Sequence, residues 1–223
     1  MLVMKRQIKD ALYEQFSRTT KALSSPKRIE ILDLLGQGEK TVEMVAEQTS
    51  LGIKNTSAQL KELKSAMLVD TRRDGKYVYY RLTSNSVAEL LLRLRTFSEG
   101  HFAEIQKIAS EVFEDATSTE PVNRKQLLAQ AKKGDLLLLD VRPTDEYTQS
   151  HLPYAISVPL SDLQKELKTL PKNKEVVAYC RGAYCFFAKE AVEILKKRGY
   201  KASRLKDGVR EWASHGLPIE TQI

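Results

Sequence analysis

The stretch Val176-Val-Ala-Tyr-Cys-Arg-Gly-Ala-Tyr-Cys185 decides the fold of the second half of this chain. It starts as a short apolar run, passes through a loop that contains glycine, and reaches helical apolar spacing from Ala188 onwards. A second apolar run, Leu136 to Val141, lies upstream, and Lys201 to Leu205 is a further candidate strand. Short apolar runs followed by loop or helical sequence are typical of strands covered on both faces. We therefore predict a parallel α/β sheet in this half.

A polar segment separates this half from the first. Between Phe113 and Val122 the sequence reads Glu-Asp-Ala-Thr-Ser-Thr-Glu-Pro, which has the small, polar composition of an exposed connector and closes with proline. A length of 223 residues suits two small domains. We predict a first domain over residues 1–116 and a second domain over residues 117–223.

Composition excludes several classes of protein. An apolar content of 42% with charges of both signs excludes a disordered or low-complexity chain. No apolar run approaches the ~20 residues of a spanning helix, and the first ten residues lack the apolar core of a secretory signal. We therefore expect a cytoplasmic protein without membrane contact. The net charge of +7 suggests an anionic partner without identifying it.

The first part combines helical spacing with a hairpin. Apolar residues recur three and four positions apart, in groups between Ile29 and Met67, which predicts helices. Arg73-Asp-Gly-Lys76 then supplies a turn, and the β-forming run Tyr77 to Tyr80 follows it. Helices followed by a basic hairpin occur in this order in a winged helix-turn-helix, where one helix enters the major groove of DNA. The first domain is therefore predicted to be mainly α-helical, with a wing.

A long apolar stripe follows the hairpin, from Val87 to Val112. It is longer than a compact domain of this size usually needs for its own core. We expect it to pack against a partner helix, with a bend at Gly100.

Three stretches of the first part closely resemble the ArsR family of bacterial repressors. They are Leu23-Ser-Ser-Pro-Lys-Arg-Ile-Glu-Ile-Leu-Asp-Leu-Leu35, Ser57-Ala-Gln-Leu-Lys-Glu-Leu63 and Arg73-Asp-Gly-Lys-Tyr-Val-Tyr-Tyr-Arg-Leu82. The resemblance implies a homodimer that pairs through its terminal helices. It also implies binding to palindromic double-stranded operator DNA, which the repressor leaves when a signal arrives.

This resemblance indicates two sets of candidate DNA contacts. Side chains at the start of the recognition helix would reach base edges, namely Lys54, Asn55, Thr56, Ser57 and Gln59. Basic side chains on the helix and the hairpin would neutralise phosphates, namely Lys61, Lys64, Arg73, Lys76 and Arg81. Affinity that depends on phosphate contacts falls steeply with salt.

The resemblance also shows what the first part lacks. Metal-sensing relatives carry a cysteine pair before the recognition helix, or paired histidine and acidic residues on the last helix. Here residues 41–47 contain no thiol, and His101 with Glu104 falls short of the three or four ligands that such metals need. Redox-sensing relatives hold cysteines in the DNA-binding domain, and this chain has none there. We expect no metal and no cofactor, and we expect the sensor to lie in the second domain.

Three stretches of the second part look like a single-domain rhodanese. Leu139 to Leu160 resembles the opening of that family, Val176 to Cys185 its active-site loop, and Leu205 to Trp212 with Gly216-Leu-Pro-Ile its final motif. Ser150 and Asp207 depart from the family pattern, which has glycine at these places. The resemblance implies transfer of sulfane sulfur through a cysteine.

The physical setting of Cys180 agrees with that chemistry. A cysteine between a strand and a glycine loop that opens a helix faces backbone N–H groups at the positive end of the helix. Such a place, with Arg181 adjacent, favours the thiolate, which is the nucleophile. We predict that Cys180 accepts sulfur from thiosulfate, a polysulfide or a small persulfide.

The role of Cys185 stays open between two alternatives. It would attack a persulfide on Cys180 and form a bridge, or it is a small buried residue at a helix start. A phosphatase or arsenate reductase of this fold would need arginine six positions after Cys180, where Phe186 stands. A zinc site would need two further ligands, and we discount it.

The two halves together predict a regulator with a sulfur sensor. DNA contacts lie in the first domain and thiols only in the second. We predict a repressor that senses reactive sulfur through persulfide or disulfide chemistry at Cys180 and Cys185. The alternatives are a DNA-tethered sulfurtransferase enzyme and a regulator whose second domain only supports the dimer.

Overall fold

The computed structural model describes residues 2–113 and 123–222, with side chains from Met4 onwards. Contacts group the chain into a first unit, Met1–Arg93, and a second unit, Leu94–Ile223. The connector predicted between Phe113 and Val122, with the boundary at residues 116 and 117, lies outside the described residues. The predicted domain limits therefore stay a prediction, and the contacts place residues 94–113 with the second unit.

The first unit is a winged helix-turn-helix. Its elements in chain order are α1 Leu2–Leu23, α2 Pro26–Leu35, β1 Lys40–Thr41, α3 Val42–Gln48, α4 Ile53–Ser65, β2 Val69–Asp74, β3 Tyr77–Leu82 and the start of α5 Asn85–His101. The strands pair antiparallel in the order β1-β3-β2. Gly75 occupies the hairpin turn with a φ of 56°, a conformation that glycine adopts readily. The predicted helices and hairpin are present.

One apolar core holds these elements together. Ile31 of α2, Val45 of α3 and Leu60 of α4 are fully buried in the same cluster. Val87 and Leu91 of α5 complete this cluster. The three- and four-residue spacing seen in the sequence therefore marks the buried faces of the helices.

The predicted stripe from Val87 to Val112 forms two helices rather than one bent helix. The helix α5 ends at His101, and α6 spans Ala103–Phe113. The break falls at Phe102, so the bend predicted at Gly100 was wrong by two positions. Gly100 itself is helical, and a Cβ added there would meet no neighbouring side chain or segment within 4 Å.

The second unit contains a parallel sheet with helices around it. After α6 its elements are α7 Arg124–Lys133, β4 Leu136–Asp140, α8 Thr144–Gln149, β5 Ala155–Ser157, α9 Leu163–Glu166, β6 Glu175–Tyr179, α10 Phe186–Lys197, β7 Ala202–Arg204 and α11 Val209–Ser214. The strand order is β5-β4-β6-β7, and every pairing is parallel. The predicted α/β class is confirmed. The strand β5 was not predicted, because three residues with one exposed side chain carry no clear period.

The parallel strands of the sheet end at a common edge, and Cys180 lies there. The central strands β4 and β6 are almost entirely buried, as continuous apolar runs in parallel sheets are. Loops at the carboxyl ends of parallel strands are where ligands bind in such sheets, and Cys180 directly follows β6. Among the described helices, none combines the length and apolar character needed to cross a bilayer.

Candidate functional site

Two glycines shape the loop from Cys180 to Cys185, which we call the cysteine loop. Gly182 has a φ of 134°, a conformation that side chains with a Cβ rarely adopt. Gly208, before α11, lies so close that a Cβ there would stand 2.6 Å from the carbonyl carbon of Arg181. The loop therefore closes tightly between β6 and α10, with Cys185 as the N-cap residue of α10.

The two cysteines are free thiols at the two ends of this loop. Cys180 is 1% exposed, whereas Cys185 is half-buried. The Cys180 thiol donates a hydrogen bond to the carbonyl oxygen of Cys185 at 3.6 Å. Hydrogen bonding by the Cys180 side chain is the main reason that the pKa of Cys185 falls from 9.0 to about 7, and backbone hydrogen bonds at Arg181 and Phe187 lower it further.

The Cys180 thiol behaves in the opposite way. Burial raises its pKa well above the ordinary value, and the neighbouring Cys185 raises it further. The sequence predicted that Cys180 would carry the thiolate beside Arg181. Burial and the neighbouring thiol thus shift the pKa values of Cys180 and Cys185 in opposite directions, and the role of Cys180 as the sulfur acceptor stays a prediction.

Arg181 lies beside the thiols but binds a carboxylate from another element. Its Nε lies 2.9 Å from a carboxylate oxygen of the fully buried Glu146 in α8. The positive charge of Arg181 still contributes to the lowered pKa of Cys185. Sequence analysis missed Glu146, since 35 positions separate it from Arg181. A carboxylate on a helix of six residues gives no local sign of such a partner.

Glu211 is a second residue that sequence analysis missed. Its carboxylate accepts a hydrogen bond from the backbone N–H of Gly208 at 2.9 Å and lies about where a side chain on Gly182 would extend. Glu211 stands three residues after the N-cap of α11, which is the acidic position of a capping box. The spacing of three positions between Gly208 and Glu211 is the sequence feature from which the role of Glu211 could have been predicted.

A second candidate site covers α4 and the hairpin. Most side chains predicted to contact DNA are exposed, namely Lys54, Asn55, Ser57, Lys61, Lys64, Arg73, Lys76 and Arg81. Lys64 donates a hydrogen bond to Thr71 at 2.6 Å, and Arg81 lies 3.6 Å from Asp70. Gln59 is half-buried and accepts a hydrogen bond from Arg28 at 3.2 Å.

Thr56 does not belong to this surface. Its side chain is fully buried, and its hydroxyl donates to the carbonyl oxygen of Gly52 at 3.2 Å. Its prediction as a base-reading residue was wrong, because residue 56 lies one helical turn before the core residue Leu60 and on the same face. The same spacing could have shown this from the sequence.

The described residues hold no group of three or more His, Cys, Asp and Glu side chains arranged to bind a metal ion. The Nδ1 atom of His101 hydrogen-bonds to the carbonyl of Phe97 at 2.7 Å, and its ring stacks on the Phe97 ring.

Comparison with known proteins supports both halves of this reading. Residues 123–215 match the family described as rhodanese-like domain. The chain is 40% identical over 212 residues to the HTH-type transcriptional regulator Rv0324 of Mycobacterium tuberculosis, covering 95% of this chain and 93% of that protein. A sulfurtransferase of Allochromatium vinosum is 37% identical over 91 residues, covering 40% of this chain and 82% of that protein.

Among solved structures, a homodimeric winged helix-turn-helix DNA-binding domain from Mycobacterium bovis, a possible ArsR-family regulator, is 41% identical. It covers 42% of this chain and 87% of its own, with a TM-score of 0.41. Identity to Rv0324 extends along nearly the whole chain and includes both domains. The chain therefore belongs to the family of HTH-type transcriptional regulators that includes Rv0324, and its second part matches the rhodanese-like domain.

Proposed function

We propose that this regulator is a dimeric repressor that senses reactive sulfur through the thiol pair of its cysteine loop. The observation that carries the proposal is the placement of two free thiols in one tightly closed loop, with the Cys180 thiol 3.6 Å from the carbonyl oxygen of Cys185. The pKa of Cys185, lowered to about 7, agrees with it. A thiol with that pKa is about half thiolate at neutral pH, where an ordinary cysteine is mostly protonated. The pair is thus poised to react with a sulfane-sulfur donor in a reducing compartment.

The first chemical step is sulfur transfer. A thiolate of the pair attacks the outer sulfur of thiosulfate, the S–S bond of the donor breaks, and sulfite leaves with its electron pair. The product is a persulfide, Cys–S–S⁻, and a polysulfide or a small persulfide would donate in the same way. Backbone hydrogen bonds near both sulfurs supply partial positive charge for this anion.

The second step closes a bridge. The other cysteine attacks the cysteine-bound sulfur of the persulfide, its proton passes to the departing sulfur, and hydrosulfide leaves. The two cysteine sulfurs are oxidised to a disulfide, and the transferred sulfur is reduced to sulfide. The closed cysteine loop supports this step, because it holds the Cys180 thiol 3.6 Å from the carbonyl oxygen of Cys185 and so keeps the two cysteines side by side.

The DNA-binding half of the proposal rests on exposed charge and exposed apolar surface. The basic side chains of α4 and the hairpin face solvent, as phosphate contacts must. On α1, large apolar side chains recur four positions apart and remain exposed in the single chain, namely Met4, Ile8, Leu12 and Phe16. Such a stripe supports pairing of terminal helices in a homodimer.

The experiment is an operator-binding titration of the full-length protein with and without polysulfide. Its variants are wild type, Cys180→Ser and Cys185→Ser, and mass spectrometry follows each sample. We expect polysulfide to weaken operator binding of wild type, with a mass loss of two hydrogens, and to leave binding of both variants unchanged. Equal operator affinity of wild type before and after modification would refute the sensor.

A sulfurtransferase activity is the second candidate function. The similarity of the second domain to the Allochromatium sulfurtransferase favours it. Steady-state transfer from thiosulfate to cyanide separates the candidates. Fast turnover that survives Cys185→Ser supports the enzyme, whereas slow turnover that ends in a stable bridge supports the sensor.

A further inference from the structure

Two polar contacts join α5 to the cysteine loop within the second unit. The hydroxyl of Tyr184 donates a hydrogen bond to the carboxylate of Glu99 at 2.6 Å. One helical turn earlier, Arg95 forms an ion pair with Glu211 at 2.7 Å, and the Glu211 carboxylate borders Gly182. Arg95 also lies 3.4 Å from Glu99. These side chains form one network, since positions 95 and 99 share a helix face.

The end of α6 contacts the same loop. The guanidinium of Arg204 donates to the carbonyl oxygen of Ala183 at 3.1 Å and to that of Phe113 at 3.0 Å. The ring of Phe113 packs against Phe186 at a centroid distance of 4.9 Å and against Tyr184 at 5.9 Å. Three successive loop residues, 182 to 184, are therefore each held by contacts that lead to the segment 94–113.

The helix α5 also contributes to the first unit. Val87 and Leu91 are buried in the cluster that contains Leu60 and Leu63 of α4. Within the first unit, α5 thus packs in the same apolar core as α4, and within the second unit Glu99 of the same helix accepts a hydrogen bond from Tyr184 of the cysteine loop. A single helix is a continuous element that a change at either end can bias.

Closing a bridge between the cysteines must move the loop. A disulfide holds its sulfurs about 2.0 Å apart, which is shorter than a hydrogen-bonded contact between two thiols. Cys180 follows a central strand and is 1% exposed, so the half-buried Cys185 is the end that can shift. Tyr184 directly precedes Cys185 in the chain, so a shift of Cys185 also moves Tyr184. The geometry of the hydrogen bond from Tyr184 to Glu99 therefore changes when the bridge closes.

We propose that the hydrogen bond between Tyr184 and Glu99 is the contact through which the state of the cysteine loop changes operator affinity. This inference rests on the proposed sulfur-sensing function and names its route. Tyr184 and Glu99 are then coupling residues, which neither take sulfur nor touch DNA. Proximity to Glu99 and burial keep the Tyr184 hydroxyl protonated as a donor, with a pKa of about 12. By linkage, operator binding must change the loop as much as the loop changes operator binding.

The test uses Tyr184→Phe in the full-length protein, which removes the hydroxyl and keeps the ring. The matched control is Tyr154→Phe, which removes the hydroxyl of another exposed tyrosine in the same unit. For each protein we measure operator affinity before and after polysulfide, with the mass change. We also measure the rate of cysteine alkylation by iodoacetamide, without any sulfur donor, in the presence and absence of operator DNA.

We expect Tyr184→Phe to show the same mass change as wild type with polysulfide. Its ratio of operator affinities before and after polysulfide should fall towards one, by about threefold to tenfold, the range for losing a typical hydrogen bond. Operator DNA should change the alkylation rate of wild type and of Tyr154→Phe but not of Tyr184→Phe. If Tyr184→Phe keeps both the polysulfide-dependent change in operator affinity and the DNA-dependent change in alkylation rate, the proposed role of this contact is refuted. The proposed sulfur sensor is not affected by that result. A wild type that takes no sulfur, but whose alkylation depends on DNA through Tyr184, supports the contact and refutes the sensor.

Discussion

Replacing Cys180 with alanine should raise the pKa of the Cys185 thiol. The hydrogen bond from Cys180 is the largest reason that this pKa lies at about 7 instead of 9.0. A hydrogen bond to a charged group contributes about 1.5–3 kcal/mol, and about 1.4 kcal/mol corresponds to a tenfold change in an ionisation constant. We therefore expect the midpoint of Cys185 ionisation to move towards 9.0 by about one pH unit or more.

The assay is the rate of alkylation of Cys185 as a function of pH. If the pKa returned fully to 9.0, the thiolate fraction at pH 7 would fall from about one half to about one hundredth. A more basic thiolate is also a stronger nucleophile by about tenfold over that range, so the rate at pH 7 would fall only about fivefold. The midpoint of the profile is therefore the decisive quantity rather than a single rate.

The matched control is Cys180→Ser, which keeps a hydrogen-bond donor at the same position. Its profile should stay near that of wild type, because a hydroxyl can also donate to the Cys185 sulfur. If Cys180→Ala titrates at the wild-type midpoint, the hydrogen bond does not set the pKa, and the account of the coupled pair is refuted.

Two further predictions concern the DNA surface and the loop. Lys61→Ala should weaken operator binding and reduce the slope of log affinity against log salt concentration by about one. The control Lys165→Ala, which changes an exposed lysine of the second unit, should alter neither quantity. If Lys61→Ala leaves the salt slope unchanged, Lys61 does not contact a phosphate. Gly208→Ala should lower the unfolding midpoint in urea by forcing its Cβ against the Arg181 backbone, whereas Gly100→Ala, in open space within α5, should raise stability by about 0.5–1 kcal/mol. A Gly208→Ala protein as stable as wild type would contradict the tight closure of the loop.

The fold was predicted from local sequence patterns, namely apolar runs, helical spacing and turn residues. The apolar runs of β4 and β6 are short and continuous because both faces are covered, and this burial is visible in the residues themselves. The same holds for the hairpin, where Gly75 marks the turn. The strand β5 was missed because three residues are too few to show a strand pattern. The helix break at Phe102 was placed at Gly100 because glycine is the residue that ordinarily marks a bend.

The candidate sites were also predicted in part from the sequence. The spacing of Cys180 and Cys185 around a glycine loop predicts that the two thiols lie together, because a strand end and a helix start bound that loop. The spacing of Thr56 and Leu60 also carried the information that Thr56 is buried, but the polar character of threonine favoured a surface role. Local sequence thus gives the position of the chemistry more reliably than the exposure of each side chain.

The sequence by itself determined that this chain has a winged helix-turn-helix and a rhodanese-like domain, and that its thiols lie in the second. Periodicity and turns indicate the helices, the hairpin and the parallel sheet, and the resemblance of short motifs to known families indicates the two domains; both depend on neighbours along the chain. Only the tertiary structure decided how burial and neighbouring groups shift the pKa values of the two thiols, that Glu146 binds Arg181, and that Tyr184 contacts Glu99 across 85 positions. These properties depend on burial and on distances between residues far apart in sequence, which packing alone sets.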